Sequence, residues 1–180
     1  LSVISRSHPQ KNYQNASYWT VDITKQEPLF LVLKDIINKN GRLNHLVFCQ
    51  QFRGRGDVWA GHMEVHLAAA KNIIDILIDD IKVKQQSSII VISSVASVYV
   101  VEEQPLAYHV AKAGLNQLVR YYALLLGQKG IRVNCISPST TLKEESKEFY
   151  LKNKKLYNLY KNISPFGQML TAEDVANVVA

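Results

Sequence analysis

Short β-branched runs alternate along the 180 residues with longer stretches in which apolar side chains recur every three or four positions. Ser88-Ile89-Ile90-Val91-Ile92 is apolar without polar alternation, the pattern of a strand buried on both faces of a parallel sheet. Val65, Ala69, Ile73, Leu77 and Ile81 form a stripe at helical spacing and predict one long amphipathic helix from Asp57 to Ile81. By the same criteria the chain opens with strands from Ser2 to Ser5 and from Tyr18 to Ile23. A helix from Pro28 to Asn38, broken off by Gly41, and a strand from Leu43 to Gln50 follow. Beyond the Ile89 strand come a helix from Leu106 to Leu126, a strand at Ile131 and a polar stretch through Asn162. Thr171-Ala172-Glu173-Asp174 then opens a last helix, with Thr171 suited to the N-cap and acidic residues in the first turn. This alternation predicts one α/β domain over 1–180, a doubly wound parallel sheet between two helical layers.

A hydrophobic content of 47% with 20% charged residues is that of a globular protein with a substantial core. No apolar run reaches the length of a membrane span, and Leu1-Ser2-Val3-Ile4-Ser5-Arg6 lacks a signal-peptide layout, so the expected location is cytoplasmic, with no membrane partner. Cys49 and Cys135 fit no metal spacing, and in a reducing compartment they are expected as buried thiols. The net charge of +6 gathers at Lys143, Lys147, Lys152, Lys154, Lys155 and Lys161, among Tyr150, Tyr157 and Tyr160. Glu144, Glu145 and Glu148 dilute it and no nucleic-acid module is recognisable. Residues 139–163 therefore read as a solvated substrate lid rather than a nucleic-acid surface.

The chemistry concentrates at Ser93-Ser94 and Tyr108-His109-Val110-Ala111-Lys112. The apolar strand delivers Ser94 to the carboxyl edge of the sheet, where ligands bind in open α/β folds, and Tyr108 and Lys112 lie one turn apart on one helix face. A phenol is a poor proton donor or acceptor near neutrality until a neighbouring ammonium favours its ionised form. Ser94 then suits a substrate oxygen and Tyr108 the proton transfer.

This stretch resembles the short-chain dehydrogenase/reductase family, in which a strand ending in Ser-Ser precedes a helix with Tyr-x-x-x-Lys-Ala-Gly/Ala-Leu; here the helix carries Tyr108 and Lys112-Ala113-Gly114-Leu115. Ser94 lies fourteen positions before Tyr108, one more than is usual there, which implies an extra loop residue around Glu102-Glu103-Gln104. Gly130-Ile131-Arg132-Val133-Asn134-Cys135-Ile136-Ser137-Pro138 is similar to the family's next strand and the turn covering the nicotinamide. By that resemblance Pro138, Ser139 and Thr140 or Thr141 face the carboxamide, and Asp22-Ile23 lies beside the adenine. Ser139 stands where most members have glycine. The resemblance implies a Rossmann-like fold, a ribose contact from Lys112 and Tyr108, and a homodimer or homotetramer assembled through the two long helices. Apolar Leu118, Tyr121, Tyr122, Leu125 and Leu126 suit such assembly.

Two departures bear on activity. Cys49-Gln50-Gln51 follows the third strand where the family has Asn-Asn-Ala-Gly, so cofactor contacts there must differ. Val65-His66-Leu67 replaces Val-Asn-Leu, so His66 occupies the position of an asparagine that holds a relay water; it either holds that water or shuttles the proton itself, or is a structural histidine bonded to a carbonyl. The chain also matches no glycine-rich first strand, turn and helix, from which we expect it to be the middle of a longer polypeptide. Arg6, directly after the first strand, suits a ribose 2′-phosphate and favours NADP over NAD; the alternative is a surface arginine.

The expected protein is an NADP-dependent oxidoreductase acting on a small polar carbonyl or alcohol, a sugar derivative among the candidates, with NAD as the other cofactor. Its competitor is a non-catalytic member of the same fold that binds or assembles through a degenerate cofactor site.

Overall fold

The computed structural model describes residues 1–8, 13–83 and 87–180. Its β-branched runs form parallel ladders. β1 (Ser2–Ser5) pairs with β2 (Ser17–Thr20), and β3 (His45–Phe48), β4 (Ser88–Ile92) and β5 (Arg132–Ile136) form a second ladder in the order β3-β4-β5. Ile89 sits between Leu46 and Val133, and Val91 between Phe48 and Cys135, so β4 is central in its ladder and both side chains are fully buried. No ladder joins β1 to β3 among the described residues. The two pieces share one core instead, in which Ile4 and Val21 belong to the same apolar cluster as Ile89 and Val133.

Two strands are shorter than their apolar runs. β2 stops at Thr20 rather than Ile23 because the Asp22 carboxylate accepts from the Thr24 backbone N–H at 3.0 Å and from its hydroxyl at 2.8 Å, closing a turn. β3 covers His45–Phe48 rather than Leu43 to Gln50, although Leu43 still bridges to Ile81.

Helix α1 (Gln26–Asn40) buries Leu29, Leu33 and Ile36, one face at α spacing. The helix expected from Asp57 to Ile81 forms in three pieces. Asp57 is its N-cap, accepting from Ala60 N–H at 3.0 Å, and α2 (Val58–His62) runs into a π turn (Met63–Ala68), followed by α3 (Ala69–Leu77). Ala69 N–H reaches back to the Glu64 carbonyl, the five-residue step of a π turn. α4 (Leu106–Gly127) buries Ala107, Ala111, Leu115, Val119, Tyr122 and Leu126, with Lys112 on the same buried face. A Cβ on Gly114 would stand 2.9 Å from Leu67 Cδ2, so this glycine lets α4 close on the π turn.

After β5, β6 (Thr141–Leu142) pairs with β7 (Leu170–Thr171) across two helices, α5 (Glu144–Lys152) and α6 (Lys154–Ile163). The stretch read as a polar lid is thus helical, and α6 buries no residue. α7 (Ala172–Val179) starts at Thr171, whose hydroxyl accepts from Asp174 N–H while the Asp174 carboxylate accepts from Thr171 N–H. Among the described residues no helix is long and apolar enough to cross a membrane.

Candidate active site

The carboxyl end of β4 is tied to β5 and the turn that follows it. Ser93 N–H donates to Ile136 O at 2.8 Å and Val95 N–H to Pro138 O at 3.1 Å, which holds the strand end against the turn leaving β5. The two serines then diverge. Ser93 is buried and its hydroxyl donates to Lys112 O at 3.2 Å. Ser94 is half-buried and its hydroxyl caps a 3-10 turn (Val95–Ser97), accepting from Ala96 N–H at 3.2 Å. That turn packs on α4, where Asn116 donates to Ser97 Oγ at 2.7 Å and accepts from Cys135 Sγ at 3.1 Å.

Tyr108 and Lys112 come together on the face of α4 turned toward this strand end. Lys112 is 3% exposed, donates from Nζ to Ile92 O at 2.9 Å, and holds that ammonium 5.5 Å from the centre of the Tyr108 ring. Burial pulls Lys112 from 10.5 down to about 8; the Cys135 and Cys49 thiols oppose the fall, and Lys143 adds to it. Its side chain therefore carries positive charge at neutral pH in a place where charge is costly.

His66 sits under the same tyrosine. Fully buried, it lies 6.2 Å from the Tyr108 ring centre, and neither ring nitrogen has a partner among the described residues. Burial first, then the charges of Lys112 and His62, pulls it from 6.5 to about 3, so it is neutral at physiological pH. Among the described residues no carbonyl accepts from it, unlike the structural histidine weighed from the sequence. His62, which sequence reasoning passed over, stacks on His66 at 5.3 Å and meets Tyr108 edge-on at 5.7 Å. The signal was available: His62 and His66 are four apart, two polar residues on one apolar face.

Among the residues assigned to a cofactor, Arg6 is exposed just past β1, close enough to Asp22 to help hold that carboxylate below its usual value; the Thr24 hydrogen bonds are the main cause. Ile23 packs against the core. Past β3, Cys49 and Gln51 are exposed, not buried as expected for the thiol, while Gln50 buries its Nε2 with no partner among the described residues. Pro138 and Ser139 are half-buried, and the Thr141 hydroxyl donates to Ser139 O at 3.2 Å. All lie at or beyond the carboxyl ends of parallel strands, the edge at which open α/β sheets take dinucleotides.

A cleft of about 700 Å³ adjoins this edge, reaching Val95, Ser139 and Thr140. Its walls are mainly apolar, with Tyr99, Leu159, Ile163, Phe166 and Met169 around a polar corner of Glu103, Thr140 and Tyr160. Tyr160 faces Thr140 and Glu103 at this corner, where α6 meets the loop before α4. His109 pins that loop from below, accepting from Val101 N–H at 2.9 Å. The lid lysines are exposed, as a solvated lid requires, and line none of it.

Residues 6–180 match the family model described as enoyl-(acyl carrier protein) reductase. The chain is 39% identical over 98 residues to the NADH-dependent enoyl-[acyl-carrier-protein] reductase of Buchnera aphidicola, covering 54% of this chain and 36% of that protein. It is 28% identical over 170 residues to the corresponding enzyme of Nostoc sp., covering 88% and 64%. The chain thus spans less than two thirds of the length of either relative. Its fold is that of L-sorbose reductase from Gluconobacter frateurii, solved with NADPH and L-sorbose, at a TM-score of 0.75 and 20% identity over 91% of this chain and 68% of that one.

Proposed function

The chain belongs to the short-chain dehydrogenase/reductase family, and on that footing we propose that it interconverts a carbonyl and a secondary alcohol at Ser94, Tyr108 and Lys112, with a pyridine nucleotide as cofactor. The observation that carries this reading is the Lys112 ammonium, buried at a cost and held 5.5 Å from the Tyr108 ring. A charge kept in the interior beside a phenol is expected where that phenol exchanges a proton. Tyr108 passes a proton to the substrate oxygen, Lys112 supplies the positive charge beside it, Ser94 orients the oxygen, and His66 relays. A bound nicotinamide would supply or accept the hydride.

The chain's residues fit such a cofactor. Gln50 Nε2 is a buried donor with no partner among the described residues at the strand edge, and Arg6 offers a guanidinium at the end of β1. In this reading Arg6 takes the ribose 2′-phosphate, Asp22 and Ile23 flank the adenine, and Cys49, Gln50 and Gln51 line the middle. Tyr108 and Lys112 reach the nicotinamide ribose, and Pro138, Ser139 and Thr141 the carboxamide. Arg6 favours NADP; the two enoyl reductases above are named for NADH, and the sorbose reductase was solved with NADPH.

Residues 139–163 act as the lid in this single domain. The apolar cleft they roof favours a carbonyl compound with an apolar body over the sugar derivative that the lid's polar sequence suggests. Leu106, Tyr121, Leu124 and Leu125 are exposed along α4 and support association of two or four copies through that helix.

Fluorescence titration with NADPH and NADH is the first test, with saturable binding and a preference for NADPH expected. Tyr108→Phe then separates enzyme from non-catalytic binder: turnover of a carbonyl panel should fall by about 10²–10⁴ while cofactor binding and melting temperature hold. Binding of neither nucleotide, or Tyr108-independent turnover, rejects the reading.

A further inference from the structure

The apolar cleft carries charge of one sign. Glu102 and Glu103 line it, and among the described residues no lysine, arginine or histidine does, although the whole chain stands at +6. We propose that the cleft selects a carbonyl compound with an alkylammonium group on an apolar body, and that Glu103 is the specificity-determining residue that receives the cation. This rests on the oxidoreductase reading above for the carbonyl and on the cleft's own geometry for the cation.

Glu103 is held in place by the fold. Gln104 N–H donates to Val101 O at 3.0 Å, closing a turn whose two central residues are Glu102 and Glu103. His109 grips both ends of that turn. Its Nε2 accepts from Val101 N–H at 2.9 Å, so Nδ1 carries the hydrogen and donates to Pro105 O at 3.0 Å. His109 follows Tyr108 on α4, which fixes the carboxylates to the helix that bears the proposed proton donor.

The surroundings of Glu103 suit an organic cation. Neither glutamate enters an ion pair among the described residues, and the lid lysines line no part of the cleft. The charge of Glu103 bears instead on the Tyr150 and Tyr160 phenols, which burial first and this carboxylate second push above their usual value. Aromatic rings stand around it in the lining, those of Tyr99, Tyr160 and Phe166. Tyr99 is 69% exposed and Phe166 85%, large rings left uncovered at the rim. Aromatic faces beside a carboxylate attract an alkylammonium, whose charge meets the rings while its methyl groups meet apolar walls. A neutral polyol gains from neither feature, and an anion is repelled. The buried Lys112 ammonium lies at the strand edge that the cleft adjoins and repels a cation. A ketone with one ammonium therefore enters with that group at the Glu103 corner and its carbonyl left for Ser94 and Tyr108.

The test compares (4-acetylbenzyl)trimethylammonium with 4′-neopentylacetophenone, ketones of one shape in which a nitrogen replaces a carbon and adds one charge at every pH. With the whole chain and NADPH, kcat/KM should favour the cation about tenfold, chiefly through KM. Glu103→Gln, which removes the charge and keeps the outline, should bring the ratio to within about twofold, and Glu103→Lys should invert it. A ratio near unity in the unsubstituted chain, or a preference that survives Glu103→Gln at unchanged melting temperature, overturns the proposal. Should Glu103→Lys not fold, the Gln variant alone decides. Binding of the cationic ketone without cofactor, followed through NMR shifts of the Tyr99, Glu103 and Phe166 backbone amides, gives a readout free of turnover. Saturable shifts that weaken about tenfold in Glu103→Gln are expected, and binding indifferent to the substitution counts against the cation site. If no ketone turns over while that contrast holds, the oxidoreductase reading falls and the cation site stands; turnover without preference for charge has the reverse meaning.

Discussion

At the end of β4, side chains lock strand to helix: Ser93 to Lys112 O, Lys112 to Ile92 O, Asn116 to Ser97 and Cys135. Across the cleft, α5 carries the exposed pairs Lys152–Glu148 and Lys147–Glu144, and α6 buries nothing. One wall is fixed by hydrogen bonds to buried backbone, the other by apolar side chains resting on each other and a single polar corner. Groups that must meet a reacting atom belong on the first kind of wall. Groups that must accept a substrate's outline belong on the second, where substitution costs the fold little.

Acid exposes the difference most. His66 is held near 3 when folded and titrates near 6.5 when unfolded, so only the unfolded chain takes up its proton between those values. Stability is therefore lost as pH falls through this window, on the order of 5 kcal/mol for the whole of it. Denaturant titrations across that range should show His66→Phe without this share of the loss, and an acid limb like that of the unsubstituted chain would refute the buried-wall picture.

The alkaline side has the opposite sign. Lys112 sits at about 8 folded against 10.5 unfolded, so the unfolded chain retains the extra proton between them and stability rises with pH over that interval. The gain is roughly 3 kcal/mol, and Lys112→Met should abolish it while losing turnover. A rise that survives the substitution assigns the effect elsewhere.

Effects on the lid side should be confined to substrate. Phe166 is 85% exposed, so Phe166→Ala should leave the melting temperature unchanged yet raise KM for an apolar carbonyl about tenfold, with kcat within about twofold. A fall in kcat with KM intact would mean that the two walls are not separable. Smallest of all, Glu148→Gln should shift neither melting temperature nor kinetics, because its partner Lys152 is likewise exposed.

Much of this was legible in the chain, and unevenly so. β1 falls on Ser2–Ser5 as read, and α4 runs from Leu106 to one residue past the expected Leu126. There hydrophobic periodicity and burial agree. Parallel strands and the Ser-Tyr-Lys spacing were readable because each depends on local sequence. The boundary at Thr20 was not, since the Asp22 turn competes with an extended run that looks apolar through Ile23. The cleft was missed because residues 139–163 were weighed by composition. Leu156, Leu159, Tyr160 and Ile163 recur at helical spacing within that polar stretch, and Leu159, Tyr160 and Ile163 line the cleft. The orphaned nitrogens of His62 and His66 depend on packing between helices, to which a one-dimensional pattern is blind.

The π turn at Met63–Ala68 makes the histidine pair a matter of helix phase as well as of residue identity. Five residues stand where an α turn has four, so the helix has in effect absorbed a one-residue insertion without breaking. Removing one residue there would tighten the turn and rotate everything before it by about 100° relative to α3. Ile73 and Leu77 would stay in the core, while His62 would swing away from Tyr108. A related chain one residue shorter at this point, with both histidines retained, would carry the same letters and no stacked pair.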